Sequence, residues 1–271
     1  MPGVFSRHAA AYRDRLTRAL DRDEARGRTR VVSLLGVRPG DRVLDLGCGP
    51  GVLERPLAEA AGEGGLVLGV DLAEGMLALA RAGAPRQVAV ARMDMERLGV
   101  ASGAFDAVAC GHALQFCPDL GSALAEARRA LRDGGRFAAS LPAAVSQRPG
   151  SEAARVLEEV FARRLPPTPE LTDAGATRAV LRDRTRIRGA LRSAGFRSVA
   201  VERVEEASSY ADPEELVDRT LRWWTCAWRL EALRPAARAA LRAESVAALR
   251  ARLGDGPLTE AGASWVLSGV R

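Results

Sequence analysis

From Val43 onward, short apolar runs alternate with stretches whose apolar residues recur at helical spacing. The runs are RVLDLG, LVLGVD, QVAVAR, FDAVACG and RFAASL, and a sixth, SWVLSGVR, closes the chain after a Gly-Asp-Gly-Pro turn. Strands separated in this way predict crossover helices over a mostly parallel sheet, an α/β fold. Helices are expected to start near Val52, Ala73 and Pro118. In the last of these, Leu120, Leu124, Ala127 and Leu131 fall at i, i+4, i+7 and i+11, so one face packs on the sheet until Asp133-Gly134-Gly135 stops it.

Two stretches break the alternation. Residues 142–183 hold an expected helix from Ser151 to Leu165 and a Pro-Pro-Thr-Pro break, and residues 212–253 read as two helices opened by Pro213 and Pro235. The chain then divides into N-terminal lid helices (1–35), a core (36–141), a cap insertion (142–183) and the C-terminal part of the core with its helical insertion (184–271). Open parallel sheets bind ligands at the carboxyl ends of their strands, and the insertions are placed to cover that end.

Composition narrows the chemistry. The 271 residues are 47% hydrophobic and 27% charged, which suits one sizeable domain with an appended lid. All 40 basic residues are arginine. Without lysine there is no amine nucleophile, Schiff base or P-loop lysine. Arginine does not deprotonate at ordinary pH, so it lifts the isoelectric point to about 10.0 although the net charge is only +6. Acids are interleaved with the arginines, as in DRDEARGRTR, which predicts solvated helix faces and disfavours nucleic acid as a partner. Four scattered cysteines without a CxxC pair, no apolar span and no signal core predict a reduced, cytoplasmic protein without a structural metal, as a monomer or homodimer.

The most informative stretch is VLDLGCGPG, residues 43–51. A strand ending in an acid runs into Gly47, Gly49 and Gly51, spaced GxGxG, so the backbone can turn tightly and approach a ligand. Position 52 is Val and position 54 is Glu, which does not fit the GxGxxG of dinucleotide folds. Asp45, two residues before the loop, suits a cation better than a pyrophosphate. That favours a cofactor with ammonium and sulfonium groups. The second strand ends in Asp71, positioned to accept from both hydroxyls of a ribose. Next comes Asp94-Met95, an acid for an adenine amine and a thioether for its ring.

VLDLGCGPG, VDLAEGML, MDME, FDAVACGHALQF and LRDGGRF, in this order between Val43 and Leu141, resemble the motifs of the class I S-adenosylmethionine-dependent methyltransferases. FSRHAAAY is similar to the leading helix of the small-molecule branch, which includes the ubiquinone and menaquinone methyltransferases. The resemblance implies a Rossmann-like, seven-stranded sheet with helices on both faces. It implies that Gly47, Cys48, Gly49 and Gly51 wrap the methionine part of S-adenosyl-L-methionine, with Asp45 beside them. Asp71, with Leu72 and Met76 nearby, would hold the ribose, and Asp94 and Met95 would flank the adenine. The backbone of Cys110 and Gly111 would face the methionine amine and carboxylate, and Tyr12 would help close over the cofactor.

The fourth strand bears on substrate. Amine- and amide-methylating enzymes carry an Asn or Asp-Pro-Pro-aromatic element there and cytosine-C5 enzymes a Pro-Cys, whereas this chain has Cys110-Gly111-His112-Ala113. No oxygen-ligand set for a metal is visible, since Asp119 reads as a helix cap. Metal-independent transfer is therefore expected, mainly through positioning and water exclusion. His112 is the candidate general base, or else a packed residue bonded to backbone. His8 and Tyr12 are candidate substrate contacts or ordinary lid residues, and Gln115 is a further polar candidate. Val217, Leu221, Trp224 and Trp228 form an expected helical stripe with Trp223 beside it, either core or the apolar underside of a lid. Phe161 and Leu165 could face the same cavity.

Three functions compete. The first is methyl transfer to O, C or N of a small apolar molecule, such as a secondary metabolite or quinone precursor. The second uses the bound cofactor without methylation, for a cyclisation or rearrangement. The third, an RNA or protein methyltransferase, lacks the nucleobase element and any added RNA-binding domain.

Overall fold

The computed structural model describes residues 2–143, 151–167 and 174–271, without the side chain of Trp224. Seven strands form one sheet: β1 (Arg42–Leu46), β2 (Leu66–Asp71), β3 (Val88–Arg92), β4 (Phe105–Gly111), β5 (Leu131–Pro142), β6 (Arg197–Tyr210) and β7 (Leu258–Val270). Their order is β3-β2-β1-β4-β5-β7-β6. Neighbours are parallel from β3 to β5, and β7 runs antiparallel to both β5 and β6. The chain therefore moves outward from β1 to β3 and returns to β4 on the other side of β1. That reversal opens a crevice at the carboxyl ends of β1 and β4, the ligand position of open α/β sheets.

Three N-terminal helices precede the sheet: α1 (Pro2–Arg7), α2 (Ala9–Asp21) and α3 (Arg26–Leu35). Crossover helices α4 (Glu54–Ala61), α5 (Glu74–Ala82) and α6 (Leu120–Ala130) cover its parallel half. Both faces of the central strands are thus buried, which is why β1 and β4 read as continuous apolar runs. Strand β6 is absent from those runs. It is an edge strand paired only with β7, half exposed, and Glu202, Arg203, Glu205 and Glu206 hide it from an apolar search.

Asp119 caps α6 by accepting from the Ser122 amide at 3.1 Å, as its sequence position suggested. The helix ends at Ala130, earlier than the sequence pattern implied, because Leu131 already pairs with Phe105 in the sheet. Helix α7 (Glu152–Arg164) is capped by Ser151, whose hydroxyl accepts from the Ala154 amide at 3.0 Å. Two further helices, α8 (Gly175–Leu181) and α9 (Arg184–Ser193), lead into β6.

The 212–253 insertion contains three helices, where the sequence suggested two: α10 (Pro213–Leu221), α11 (Trp224–Leu230) and α12 (Pro235–Leu253). Trp223 takes an extended backbone, φ −67° and ψ 135°, and so splits the expected tryptophan stripe. Val217 and Leu221 of α10 are buried with Leu157, Phe161, Leu165 and Leu249 in a core of their own. Phe161 and Leu165 therefore stabilise the cap and do not face the crevice.

Arginines fasten the N-terminal helices to this insertion. Arg22 donates to Glu215 at 2.9 Å, Arg15 donates to the Arg219 carbonyl at 2.8 Å, and Arg7 donates to Glu231 at 3.1 Å. Deepest is the Glu24–Arg219 pair, whose side chains are only 4% and 11% exposed. Among the described residues no helix is long and apolar enough to cross a membrane.

Removing one partner of a buried ion pair leaves the other charge uncompensated. Glu24→Ala is therefore expected to cost about 3 kcal/mol, whereas Asp14→Ala, which breaks the exposed Arg13–Asp14 pair, changes stability by less than about 0.5 kcal/mol. Chemical denaturation of the two variants checks the contrast; equal effects would mean that the cover is not held by this pair.

Candidate active site

The crevice is a cavity of about 280 Å³ bounded by the glycine loop, the ends of β2 and β4, and the N-terminal helices. Gly47 has φ +64°, and a Cβ there would collide with Ala113 beyond β4. Gly49 has φ +58° and open space where a Cβ would project. The loop thus needs glycine at the first position for closeness and at the second for its backbone turn. Gly51 does not line the cavity; its backbone packs against Ala80 of α5, so its role is to seat the loop on that helix.

Asp71 accepts from the Gly49 amide at 2.9 Å and from the Ala73 amide at 2.8 Å, one on each oxygen. A carboxylate oxygen has a second lone pair, so both remain able to accept from a ligand in the cavity. Leu72, Met76, Asp94 and Met95 line the same end. Asp94 is exposed and accepts from the Glu96 amide at 3.0 Å, which fixes the turn after β3.

Asp45 is 1% exposed, and neither of its oxygens has a hydrogen-bond partner. Burial, with Glu54 and Asp71 nearby, holds its carboxyl well above the usual range. Glu54 of α4 is also buried and has no partner beyond the weak Cys48 thiol; burial pushes it up to about 7. Burial raises Asp71 as well, against the amides that bind it. Three acids with this deficit of positive charge surround one glycine loop. A cationic ligand supplies what they lack.

Arg28 of α3 lines the cavity and is 8% exposed, with a 3.4 Å contact to the Tyr12 hydroxyl. A guanidinium there suits the carboxylate end of a ligand whose ammonium lies toward Asp45. Nothing in the local sequence RGR distinguishes Arg28 from its 39 fellow arginines, so only the fold reveals it. Phe116 is a second such residue. With Phe5 and Tyr12 it forms an aromatic roof, Phe5 lying edge-on to Tyr12 at 6.0 Å and to Phe116 at 5.4 Å.

The other expected residues fall at different depths. Tyr12, Cys48, Gly111 and His112 line the cavity. Cys110 is buried behind it in β4, and burial raises its thiol far above the ordinary range. Gln115 is not part of the lining; its amide donates to the His112 carbonyl at 2.8 Å and pins the exit from β4. His8 likewise lies outside, between α1 and α2, with Nε2 2.8 Å from Glu231. Trp223 stacks on Tyr12 at 5.7 Å beneath the Arg15 guanidinium, forming a second layer behind the roof. Trp228 is half buried and does not line the cavity, and the Trp224 side chain lies outside the described residues.

His112 has φ +59°, a conformation rarely adopted away from glycine and commonest at functional turns. Its amide donates to the Ser140 carbonyl at 2.8 Å. Its ring contacts two hydroxyls, Nδ1 at 2.9 Å from Ser140 Oγ and Nε2 at 3.2 Å from Ser264 Oγ. Burial and Arg28 push the ring well below its ordinary pKa, so it is neutral at working pH.

A glycine loop with an unpaired acid, a second acid ending the next strand and a crevice at the topological switch define an open α/β fold with a ligand crevice at the strand ends. Residues 44–139 match the methyltransferase-domain family. Over 250 residues the chain is 33% identical to the nocamycin O-methyltransferase of Saccharothrix syringae, covering 85% of each chain. The chain belongs to the class I S-adenosylmethionine-dependent methyltransferases, in their small-molecule branch, and its cofactor is S-adenosylmethionine. The fold is shared with the Haemonchus contortus phosphoethanolamine N-methyltransferase 2 in complex with S-adenosyl-L-methionine, at TM-score 0.52 and 21% identity over 90% of this chain and 52% of that one. It is shared equally with the [4+2]-cyclase SpnF, at TM-score 0.53 and 20% identity over 91% and 80% of the two chains.

Two outcomes follow for the apo protein and its complex. Asp71→Ala is expected to weaken S-adenosylhomocysteine on the order of 10- to 100-fold by calorimetry, the loss of charged hydrogen bonds to two hydroxyls. Glu54, at about 7 folded against 4.5 unfolded, binds its proton more tightly in the native state. Its contribution is full below pH 4.5 and is lost as pH rises to about 7. Melting curves of Glu54→Gln should show a smaller fall across that window than the parent; a parallel fall would assign the slope to other groups.

Proposed function

We propose that this enzyme transfers a methyl group to an oxygen or an acidic carbon of a small, largely apolar molecule, without a metal. The observation that carries this reading is the roof of Phe5, Tyr12 and Phe116 directly over the glycine-loop cavity. It gives an apolar ligand a contact surface. The relative from Saccharothrix syringae, named an O-methyltransferase, supports an oxygen acceptor. Among the described residues no group of three or more His, Cys, Asp or Glu is placed to hold a metal ion.

When bound, S-adenosylmethionine supplies an electrophilic methyl group on a sulfonium. Asp71 and the Gly47–Gly49 backbone would hold the cofactor, with Asp45 as the acid for its positive charge and Arg28 as the donor to its carboxylate. The roof excludes water and holds the acceptor in line, so most of the rate comes from positioning. His112, neutral and at the edge of the cavity, takes the proton of a hydroxyl or acidic carbon as the nucleophile forms.

Turnover with a panel of hydroxylated aromatic and polyketide-like acceptors should yield S-adenosylhomocysteine and methylated product in equal amounts, at a rate unchanged by EDTA. Product formed without S-adenosylhomocysteine would replace methyl transfer with a cofactor-assisted rearrangement, and loss of the rate on chelation would establish a metal.

A further inference from the structure

Strand β2 carries glycine at position 69, between Leu68 and Val70. A Cβ there would lie 2.5 Å from Glu54 Oε1 and 2.9 Å from Cys48 Sγ, and a Cβ on Gly51 would lie 3.1 Å from Glu54 Oε2. Glycine inside a strand marks the close approach of another group. Here that group is the side chain of Glu54, the first residue of α4, which is 2% exposed. The sheet and the glycine loop thus both make room for one buried carboxyl.

Gly69 is also the register partner of Asp45 on β1. Residues paired across neighbouring strands project from the same face of the sheet, and the strands lie about 4.8 Å apart. The Glu54 carboxyl, seated over Gly69, is therefore the lateral neighbour of the Asp45 carboxyl. None of their four oxygens has a hydrogen-bond partner, and only the weak Cys48 thiol lies against Glu54. Arg28 from α3 faces Asp45, and Asp71 from the end of β2 faces both acids, with the Gly49 and Ala73 amides to share its charge. Two adjacent buried carboxyls without partners do not both ionise, and their titration belongs to the pair. Because the guanidinium faces Asp45, the negative charge resides there and the shared proton on Glu54.

We propose that Glu54 sets the preference of this site for a sulfonium ligand over its thioether product, by holding a proton in the empty protein and releasing it to solvent when the cation is bound. S-adenosylmethionine and S-adenosylhomocysteine differ by one methyl group and one positive charge. A cation in the cavity favours ionisation of both acids, whereas the thioether leaves the proton in place. The Glu54 O–H bond breaks as the cation binds, the electron pair stays on the carboxylate, and the proton goes to water. Once the positive charge has left with the methyl group, Glu54 takes a proton back from water, and the site loses its preference for what remains. Glu54 does not line the cavity, so it acts on the ligand through Asp45. The inference does not depend on which acceptor is methylated.

Calorimetry in buffers of different ionisation enthalpy reads the protons released on binding. At pH 7, with Glu54 at about 7, S-adenosylmethionine should displace roughly half a proton from the parent protein and S-adenosylhomocysteine much less. Between pH 6 and pH 8 the affinity for S-adenosylmethionine should rise roughly five- to tenfold relative to that for S-adenosylhomocysteine. An α-amino group titrates in the same range, so the comparison is made against Glu54→Gln, in which the ionisation of the ligand itself cancels. That variant should release no further proton and hold S-adenosylmethionine at the parent's low-pH affinity throughout. Glu54→Met should behave alike, which covers a hydrogen bond from the new amide to Asp45. Equal proton release with the two ligands, or the parent's release and pH profile retained in both variants, would overturn the proposal. Neither readout requires turnover, so a failure of the acceptor assignment leaves the result standing.

Discussion

A carboxylate without a hydrogen-bond partner stands at the centre of this protein. Asp45 lies next to the end of the strand from which the sheet runs outward in both directions, and its burial there without a partner leaves a deficit of positive charge. The glycine loop, Asp71 and Arg28 are arranged around that deficit. Acids placed in this way favour a positively charged ligand over a pyrophosphate. The GxGxG spacing and the charge pattern therefore express one selection.

The cover follows a second rule. Among the described residues the ion pairs between the N-terminal segment and the 212–253 insertion use arginine, the His8–Glu231 contact apart, because the chain has no lysine. A guanidinium offers several planar donors, and Arg219 uses them at once on Glu24 and the Ser209 carbonyl while lying over the Tyr210 ring. Arg7, Arg15, Arg22 and Arg219 thus fasten two segments distant in sequence to one another.

Phe5, Tyr12 and Phe116 line one side of the cavity, and Trp223 backs Tyr12. On the opposite side His112 is held in a strained backbone conformation by hydrogen bonds from its amide and both ring nitrogens. Strain of that kind persists only where the surroundings over-determine it, and two buried serines and Glu206 supply the surroundings.

The amino-acid sequence by itself determined the parallel half of the sheet and the glycine turn after β1, because both depend on local patterns: apolar runs buried on two faces, glycines at a turn, and acids at strand ends. It also located Asp119 as a cap, whose hydrogen bond spans only three residues, and the start of α7 at Ser151. Only the tertiary structure decided the rest. Edge strand β6 carries no apolar run to be read. The tryptophan stripe dissolved once Trp223 left the helical backbone, and Trp223 then met Tyr12 from the other end of the chain. Arg28 and Glu206 look like any other charged residues until α3 closes on β7 and carries one into the cavity and ties the other to Ser264. Local pattern reports which residues share an element; only packing between distant elements brings a charge, a hydroxyl and an imidazole within hydrogen-bond reach.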